Sequence, residues 1–439
     1  MSIDIWENVT TRILNEAKEG ETLALSLASE DSLFVRMNQA KVRQSTQILQ
    51  GFVELSYFKN NRNMKVTVPI LFQTEVDFKA CFEALERCRA QISSLPEDQF
   101  LQLPGDHGQF YQELVKKIPR YPLIDSCLDK VQGSDFVGIL TVGEMVRANV
   151  NSKGLNQWFE TSTFNLDFSL YTNNQQAVKG LYGGREWQDH EYDELVAKKL
   201  GMLECLNHPL MTIETKKYRT YFSSSAVATL LGVLSGIGSR EAFERGQSPI
   251  KKVVEGEASL SPHLFLQENF ASGEVPRFNE TGEIGEEVFE IIHKGQFKDL
   301  LCSTRSAKEY GKISNFANAQ ESLRSPEILP GDLPCDREME ALGTGLYVSD
   351  LHYLNWSNVQ TGSLTGMTRF GCFWVEKGRI VAPVKDMRFD ESLYHFWGQG
   401  LVGFGNKADT FPKTGSYFQR DIGSLKAPGM LVNDFTFVL

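Results

Sequence analysis

Over residues 164–171 the chain reads FNLDFSLY, in which Phe164, Leu166, Phe168 and Leu170 alternate with Asn165, Asp167, Ser169 and Tyr171. A period of two sends successive side chains to opposite faces, so this is a strand with one face buried. A lone strand leaves its backbone groups unpaired, so the chain has to build a sheet around it. The N-terminal residues supply one. An opening segment with Ile5, Val9, Ile13 and Leu14 has helical spacing, and TLALSLAS, SLFVRMN, KVRQSTQ and GFVELSYFKNNRNMKVTVP follow as strands. In the last of these Val53, Leu55 and Tyr57 alternate with Glu54 and Ser56, and KNNRN is a polar hairpin turn.

Helices are predicted from Phe78 to Ile92 and over EWQDHEYDELVAKKLGMLECL, where Tyr192, Leu195, Val196 and Leu200 share a face. SSLPEDQFLQLPGDHG has the composition of a loop. From residue 215 the pattern changes to short strands and turns. RFGCFWVEKGRIVAPVKDMRF reads as two strands joined at Lys377 and Gly378, and GMLVNDFTFVL as a closing strand. The expected fold class is α+β in two domains: residues 1–215, an antiparallel meander with packed helices, and 216–439, rich in antiparallel strands. A length of 439 residues fits that division, since single cores stop growing near ~250–300.

A net charge of -11, with Lys and Arg interspersed among acids, argues against a surface for nucleic acid or anionic membrane. The start of the chain lacks a basic segment followed by an apolar one, and no window reaches ~18 uninterrupted apolar residues, so the expected location is the cytoplasm. The seven cysteines are spread without a disulfide-framework spacing. Cys81 and Cys88 fall on the helix face of Phe78, Phe82 and Leu85 and read as core thiols.

Few residues of the chain point to chemistry. No two of the seven histidines pair at helical spacing, and there is no HExxH or HExxxH, GxSxG or phosphate-binding glycine loop. Glu283, Glu286, Glu287 and Glu290 are expected on the solvated face of a helix whose other face is Val288, Ile291 and Ile292. Cys372, flanked by Phe370, Phe373 and Trp374, reads as a packed strand residue; as a nucleophile it would draw a base from His352 or His395.

One stretch is unusual. AVATLLGVLSGIGSREAFERG, residues 226–246, places Val227, Leu230, Leu231 and Leu234 at helical spacing after the capping serines Ser223 to Ser225. Yet Gly232, Gly236 and Gly238 each weaken a helix interior by roughly 1 kcal/mol against alanine. Gly232 and Gly236, four apart, would let another backbone approach closely or would serve plain core packing.

Three segments together resemble the TldD/PmbA family. The first is the run Asn358, Thr361, Gly362, Thr365, Gly366, followed by a hairpin with Val375, Glu376, Gly378, Ile380, Pro383 and Val384. The second is FVRMNQAKVRQSTQ, carried by Asn38, Val42 and Gln44; the third is KYRTYFSSSAVATLLGVLSGIG, similar to the family's strand-to-helix entry into its C-terminal domain. The resemblance implies that the protease subunit's equivalent helix bears HExxxH, with two histidines and a later cysteine on one zinc and the glutamate as general base. Here Gly232 and Ile237 stand at the histidine positions, Val233 at the glutamate and Phe404 at the cysteine. The resemblance therefore implies no catalytic residue and no metal in this chain: a TldE/PmbA-like, non-catalytic subunit with zinc in a TldD-type partner. Together they would hold extended or unfolded peptides in a shared cleft, and an antiparallel sheet edge suits that task. Two other readings stand beside it: a stand-alone enzyme of the same family, either a metallopeptidase with an unrecognised site or a cysteine hydrolase using Cys372 with His352 or His395, and a homodimeric binding protein that has lost catalysis. The family name also carries modulation of DNA gyrase, which no residue here selects.

Overall fold

The computed structural model of the protein describes residues 3–106 and 108–438; His107 lies outside them. The first sheet is built from β1 (Thr22–Asn38), β2 (Lys41–Lys59), β3 (Arg62–Ile70), β4 (Gln109–Leu114), β5 (Asp135–Asn151), β6 (Asn156–Tyr171) and β7 (Ala177–Gly184). Its order is β3-β2-β1-β5-β6-β4, and β7 pairs with the second half of β6 on the edge that β4 leaves open. Each pairing is antiparallel except β4 with β6. Asn60 and Asn61, with φ of 51° and 54°, make the two-residue turn expected in KNNRN. Gln39 and Ala40, at 53° and 49°, make another without glycine or asparagine.

β1 and β2 are each one long strand where the sequence suggests two. β1 runs through Glu30 and Asp31 because both acids are held: Glu30 Oε1 accepts from Gln50 and from the Arg420 amide, and Asp31 accepts from Arg120 at 2.8 Å.

The two faces of this sheet differ. One face carries Leu23, Leu25, Leu27, Val53, Leu55, Val146 and Ala148, which pack under helices α1 (Ile3–Asn15) and α2 (Thr74–Gln91), with Cys81 and Cys88 fully buried between them. Farther along, Leu33, Val35, Leu140, Val142, Phe164, Leu166 and Phe168 form a second core with α3 (Arg120–Asp129) and α4 (Asp189–Cys205). The opposite face is polar yet buried. Cross-strand partners there include Ser26 with Asn149, Asn149 with Gln157, and Ser32 with Gly143 and so Thr163. Loops from the C-terminal half satisfy this face: Asn149 donates to Asn279 O, Gln157 to Gly282 O, Thr161 to Gly273 O, and Arg420 donates to Thr163 and Ser32. Because buried polar groups need partners, these bonds fix the two halves against each other.

The second sheet comprises β8 (Lys217–Phe222), β9 (Leu266–Asn269), β10 (Val288–His293), β11 (Gln296–Phe297), β12 (Pro326–Ile328), β13 (Gly345–Asn358), β14 (Ser363–Glu376), β15 (Arg379–Pro383), β16 (Arg388–Ser392), β17 (Leu401–Pro412) and β18 (Ser424–Val438). β8 pairs with both β13 and β18, so β8, β13, β14, β16 and β18 close into a ring. Ring closure removes the sheet edges there. The hairpin at Lys377 and Gly378 forms as expected between β14 and β15, with positive φ at both residues.

Two expectations fail. The acidic segment is not helical: Phe278 bridges to Ile284, and Val288–His293 is β10, paired with β9. Its β-branched and aromatic residues fill a sheet, with Ile291 and Ile292 buried and Val288 exposed, so the three do not share a face. The glycine-rich stretch also ends early as a helix. α5 covers Ser224–Val233 and passes into a 3-10 turn over Leu234–Gly236, which leaves Gly238 outside. Nor does any backbone among the described residues approach Gly232 or Gly236: both are exposed, and a Cβ added to either would meet none of their atoms within 4 Å.

Candidate functional site

α5 follows β8 directly and packs its apolar side, Val227, Leu230 and Leu231, into the core of the closed ring. Its N-terminus is pinned by serines. Ser223 caps it, accepting from the Ala226 amide and donating to Ser349 O. Ser225 Oγ donates to Asp350 Oδ1 at 2.7 Å, Ser349 Oγ to the other oxygen at 2.7 Å, and Ser224 Oγ to Asp409 at 2.6 Å. Burial pushes the Asp350 carboxyl up and is opposed by the nearby Lys199 charge and by these hydroxyls; burial likewise pushes Lys199 down. Carboxylates at a helix N-terminus complement its dipole, so this cluster orients α5.

The positions that the family resemblance singles out do not converge. Gly232 lies on the open side of α5, while Ile237, 1% exposed, has turned into the core after the 3-10 segment. Val233 packs against the same core, and Phe404, also 1% exposed, sits on β17 opposite Met430. None offers a side-chain nitrogen, oxygen or sulfur, so these residues do not fit a zinc ion, which takes nitrogen, sulfur or carboxylate donors. Among the described residues no group of three or more His, Cys, Asp and Glu is placed to hold a metal.

Cys372 is fully buried on β14, and burial pushes its thiol up to about 12. It faces Val348, whereas His352 faces Met367, four residues farther along β13, roughly 13 Å away at ~3.3 Å per residue. His395 lies beside Glu391, with Nδ1 3.1 Å from its carboxylate, in the π-helical turn His395–Gln399. No hydrogen bond joins either histidine to Cys372 among the described residues.

Two features were not legible in the sequence. The first is a cavity of about 450 Å³ between the polar face of the first sheet and the loops of the C-terminal half, lined by Leu27, Phe52, Arg147, Phe278, Arg324 and Lys413 among others. Its walls come from positions up to several hundred residues apart, and no local pattern links them. The second is an open strand edge. β2 pairs with β1 along its whole length, but on its other side β3 covers only Gly51–Lys59. Over Lys41–Gln50 no strand among the described residues pairs with the outer edge, and Lys41 to Gln47 are exposed. Phe418, 77% exposed beside Tyr417 at 93%, is tied to the end of this edge through Gln50 Nε2 to its carbonyl.

The fold is that of the TldE-type proteins: two sheets, the second closed behind a strand-to-helix entry. TldE from Thermococcus kodakarensis superposes over 99% of this chain and 100% of its own with a TM-score of 0.79 at 15% identity. A candidate modulator of a DNA gyrase from Thermotoga maritima superposes over 99% and 100% with a TM-score of 0.76, also at 15%. The chain belongs to the TldD/PmbA family, since the family described as PmbA/TldA metallopeptidase C-terminal domain matches residues 215–438, just over half of it. The metalloprotease PmbA of Escherichia coli O157:H7 is 24% identical over 276 residues; the match spans 59% of this chain and 57% of that relative's length. The family is metallopeptidase-related. No described helix is long and apolar enough to cross a membrane.

Proposed function

We propose that this chain is the non-catalytic, TldE/PmbA-like subunit of a TldD-type zinc metallopeptidase that acts on peptides or unfolded small proteins. The observation that carries the reading is the character of the positions on and just after α5: Gly232 with no side chain and Ile237 buried among carbons, where a catalytic subunit of this family would present two histidines. On this reading the partner supplies the zinc and its ligands, and this chain contributes binding surface. The open edge of β2 over Lys41–Gln50 suits that role, because an extended peptide or a partner strand gains main-chain hydrogen bonds there without regard to its sequence. From Gln44 to Gln50 the edge carries no charge and no proline, the usual protections of a free edge, which favours its being covered in the working assembly.

The test is reconstitution. This chain is co-expressed with its candidate TldD-type partner, and cleavage of an unfolded peptide is measured for each chain and for the pair. The expected result is cleavage by the pair, abolished by a chelator, and none by this chain alone. Cleavage by this chain alone would overturn the reading.

A further inference from the structure

The cavity between the first sheet and the loops of the C-terminal half holds an arginine, Arg147, that no acid of the described residues pairs with. Arg147 sits midway along β5, on the polar face, between Ala28 and Phe159. Of the five N–H donors of a guanidinium, one is used among the described residues, from Nη1 to the carbonyl of its neighbour Val146 at 2.8 Å. No carboxylate of the described residues comes within ion-pair distance of it. The acids whose charge reaches it, Glu30 and Asp421, stand farther off, and burial pulls the guanidinium down to about 10.

The other charges of the cavity are engaged. Arg324 donates to the carbonyls of Pro276, Arg277 and Phe278, and Lys413 Nζ reaches Arg324 O at 3.5 Å. Glu54 is paired with Lys65 at 2.7 Å, and Glu280 accepts from the Ala319 amide. The cavity thus keeps a surplus of positive charge in a chain whose net charge is -11. The rest of its lining combines the apolar Phe52, Val275, Phe278 and Ile422 with the neutral polar Ser26, Thr67, Asn149 and Asn279.

An arginine with open donors beside an apolar patch of Phe52, Val275, Phe278 and Ile422 defines the complement. We propose that this cavity binds a carboxylate carried on an apolar body, with Arg147 as the residue that grips it. Arginine meets a carboxylate through two parallel N–H···O bonds, and a volume of about 450 Å³ lies within the ~300–1,000 Å³ of small-ligand sites. Such a carboxylate has two sources, the free C-terminus of a peptide with apolar last residues or a free aliphatic acid. Neither depends on a metal or on a partner subunit.

The experiment titrates the full chain by calorimetry with three probes: the peptide Ala-Leu-Phe with a free C-terminus, the same peptide as its C-terminal amide, and octanoate. The expected result is binding of at least one of the two carboxylates. The amide should bind roughly ten- to hundred-fold more weakly than the free peptide, or not at all, and Arg147→Met should weaken the carboxylate by a similar factor. Binding of the free peptide identifies the peptide source; binding of octanoate alone supports the site while counting against a peptide-binding role for this chain. Equal affinity for acid and amide, unchanged affinity in Arg147→Met, or no binding of either carboxylate overturns the proposal. Arg147→Lys, which keeps the charge, is measured beside it. If neither variant folds by circular dichroism, the acid-against-amide comparison on the unmodified chain decides.

Discussion

Rebuilding the family's metal ligands on α5 should fail, and the structure gives the reason position by position. Gly232 is helical, exposed and free of neighbours around its missing Cβ, so Gly232→His should be neutral or should stabilise by up to ~0.5 kcal/mol through helix propensity. Ile237 is different, because its side chain fills the ring core at 1% exposure. Ile237→His gives up the burial of an isoleucine, roughly 1.5–3 kcal/mol, and places ring nitrogens within an apolar core cluster, roughly 1–3 kcal/mol more. The net expectation is a destabilisation of about 3–5 kcal/mol, seen as a lower urea midpoint with an unchanged slope. The triple variant G232H/V233E/I237H should combine that loss with no zinc affinity, since the two imidazoles would point to different sides of the segment and Phe404 offers no third donor. The assay is urea unfolding followed by fluorescence, together with zinc analysis after dialysis against micromolar zinc. A triple variant that keeps the parental midpoint and retains stoichiometric zinc would refute this reasoning, because it would mean that residue 237 shares the open side of α5 with residue 232.

Other consequences follow from single side chains. Glu21 is buried, which opposes its ionisation, but Arg89 at 2.7 Å, the Lys18 amide and the Tyr57 hydroxyl hold its carboxyl down to about 2. Its folded value lies below the unfolded one, so it contributes about 3 kcal/mol above pH ~4.5, lost as pH falls toward 2; Glu21→Gln should be destabilised at pH 7, less so near pH ~3, and should approach the parent only near pH ~2 in thermal unfolding. Cys81, Cys88, Cys127, Cys302 and Cys372 are buried, so native titration with a disulfide reagent should label Cys205 and Cys335 first, and Cys372→Ala should leave the activity of an assembled complex intact. Early labelling of Cys372, or loss of activity in that variant, would reopen the hydrolase reading. On the open edge of β2, Leu49, 58% exposed, should tolerate Leu49→Lys within ~0.5 kcal/mol of stability while peptide or partner binding weakens; unchanged binding would remove this edge from the binding surface.

Where periodicity is local, the sequence reveals the fold. The strand at Phe164–Tyr171, the helices around Cys81 and Tyr192, the Asn60-Asn61 turn and the Lys377-Gly378 hairpin all form where their patterns place them. The misses share a cause, which is tertiary pairing of residues that look like punctuation or like a helix. Glu30 and Asp31 read as a break but are held in β1 by Gln50, Arg420 and Arg120 from distant segments. The glutamates of residues 283–290 have helical spacing, yet pairing with β9 makes Val288–His293 a strand. At the candidate site the sequence identified the absence of ligand types, but not that Gly232 faces outward while Ile237 faces the core. Arg147 was invisible, since nothing local marks an arginine on a strand as lacking its counter-charge.

The central claim, a chain that works beside a zinc-bearing partner without holding zinc itself, is tested most directly by metal analysis on protein purified under mild conditions from the cells that make it. The mass of the native particle and its zinc content are measured together, and then again after this chain has been separated from its partner. The account predicts an equimolar complex with a chain bearing HExxxH, with zinc that stays with that chain on separation. Stoichiometric zinc remaining on this chain, or a particle made only of this chain that cleaves peptides, would contradict it.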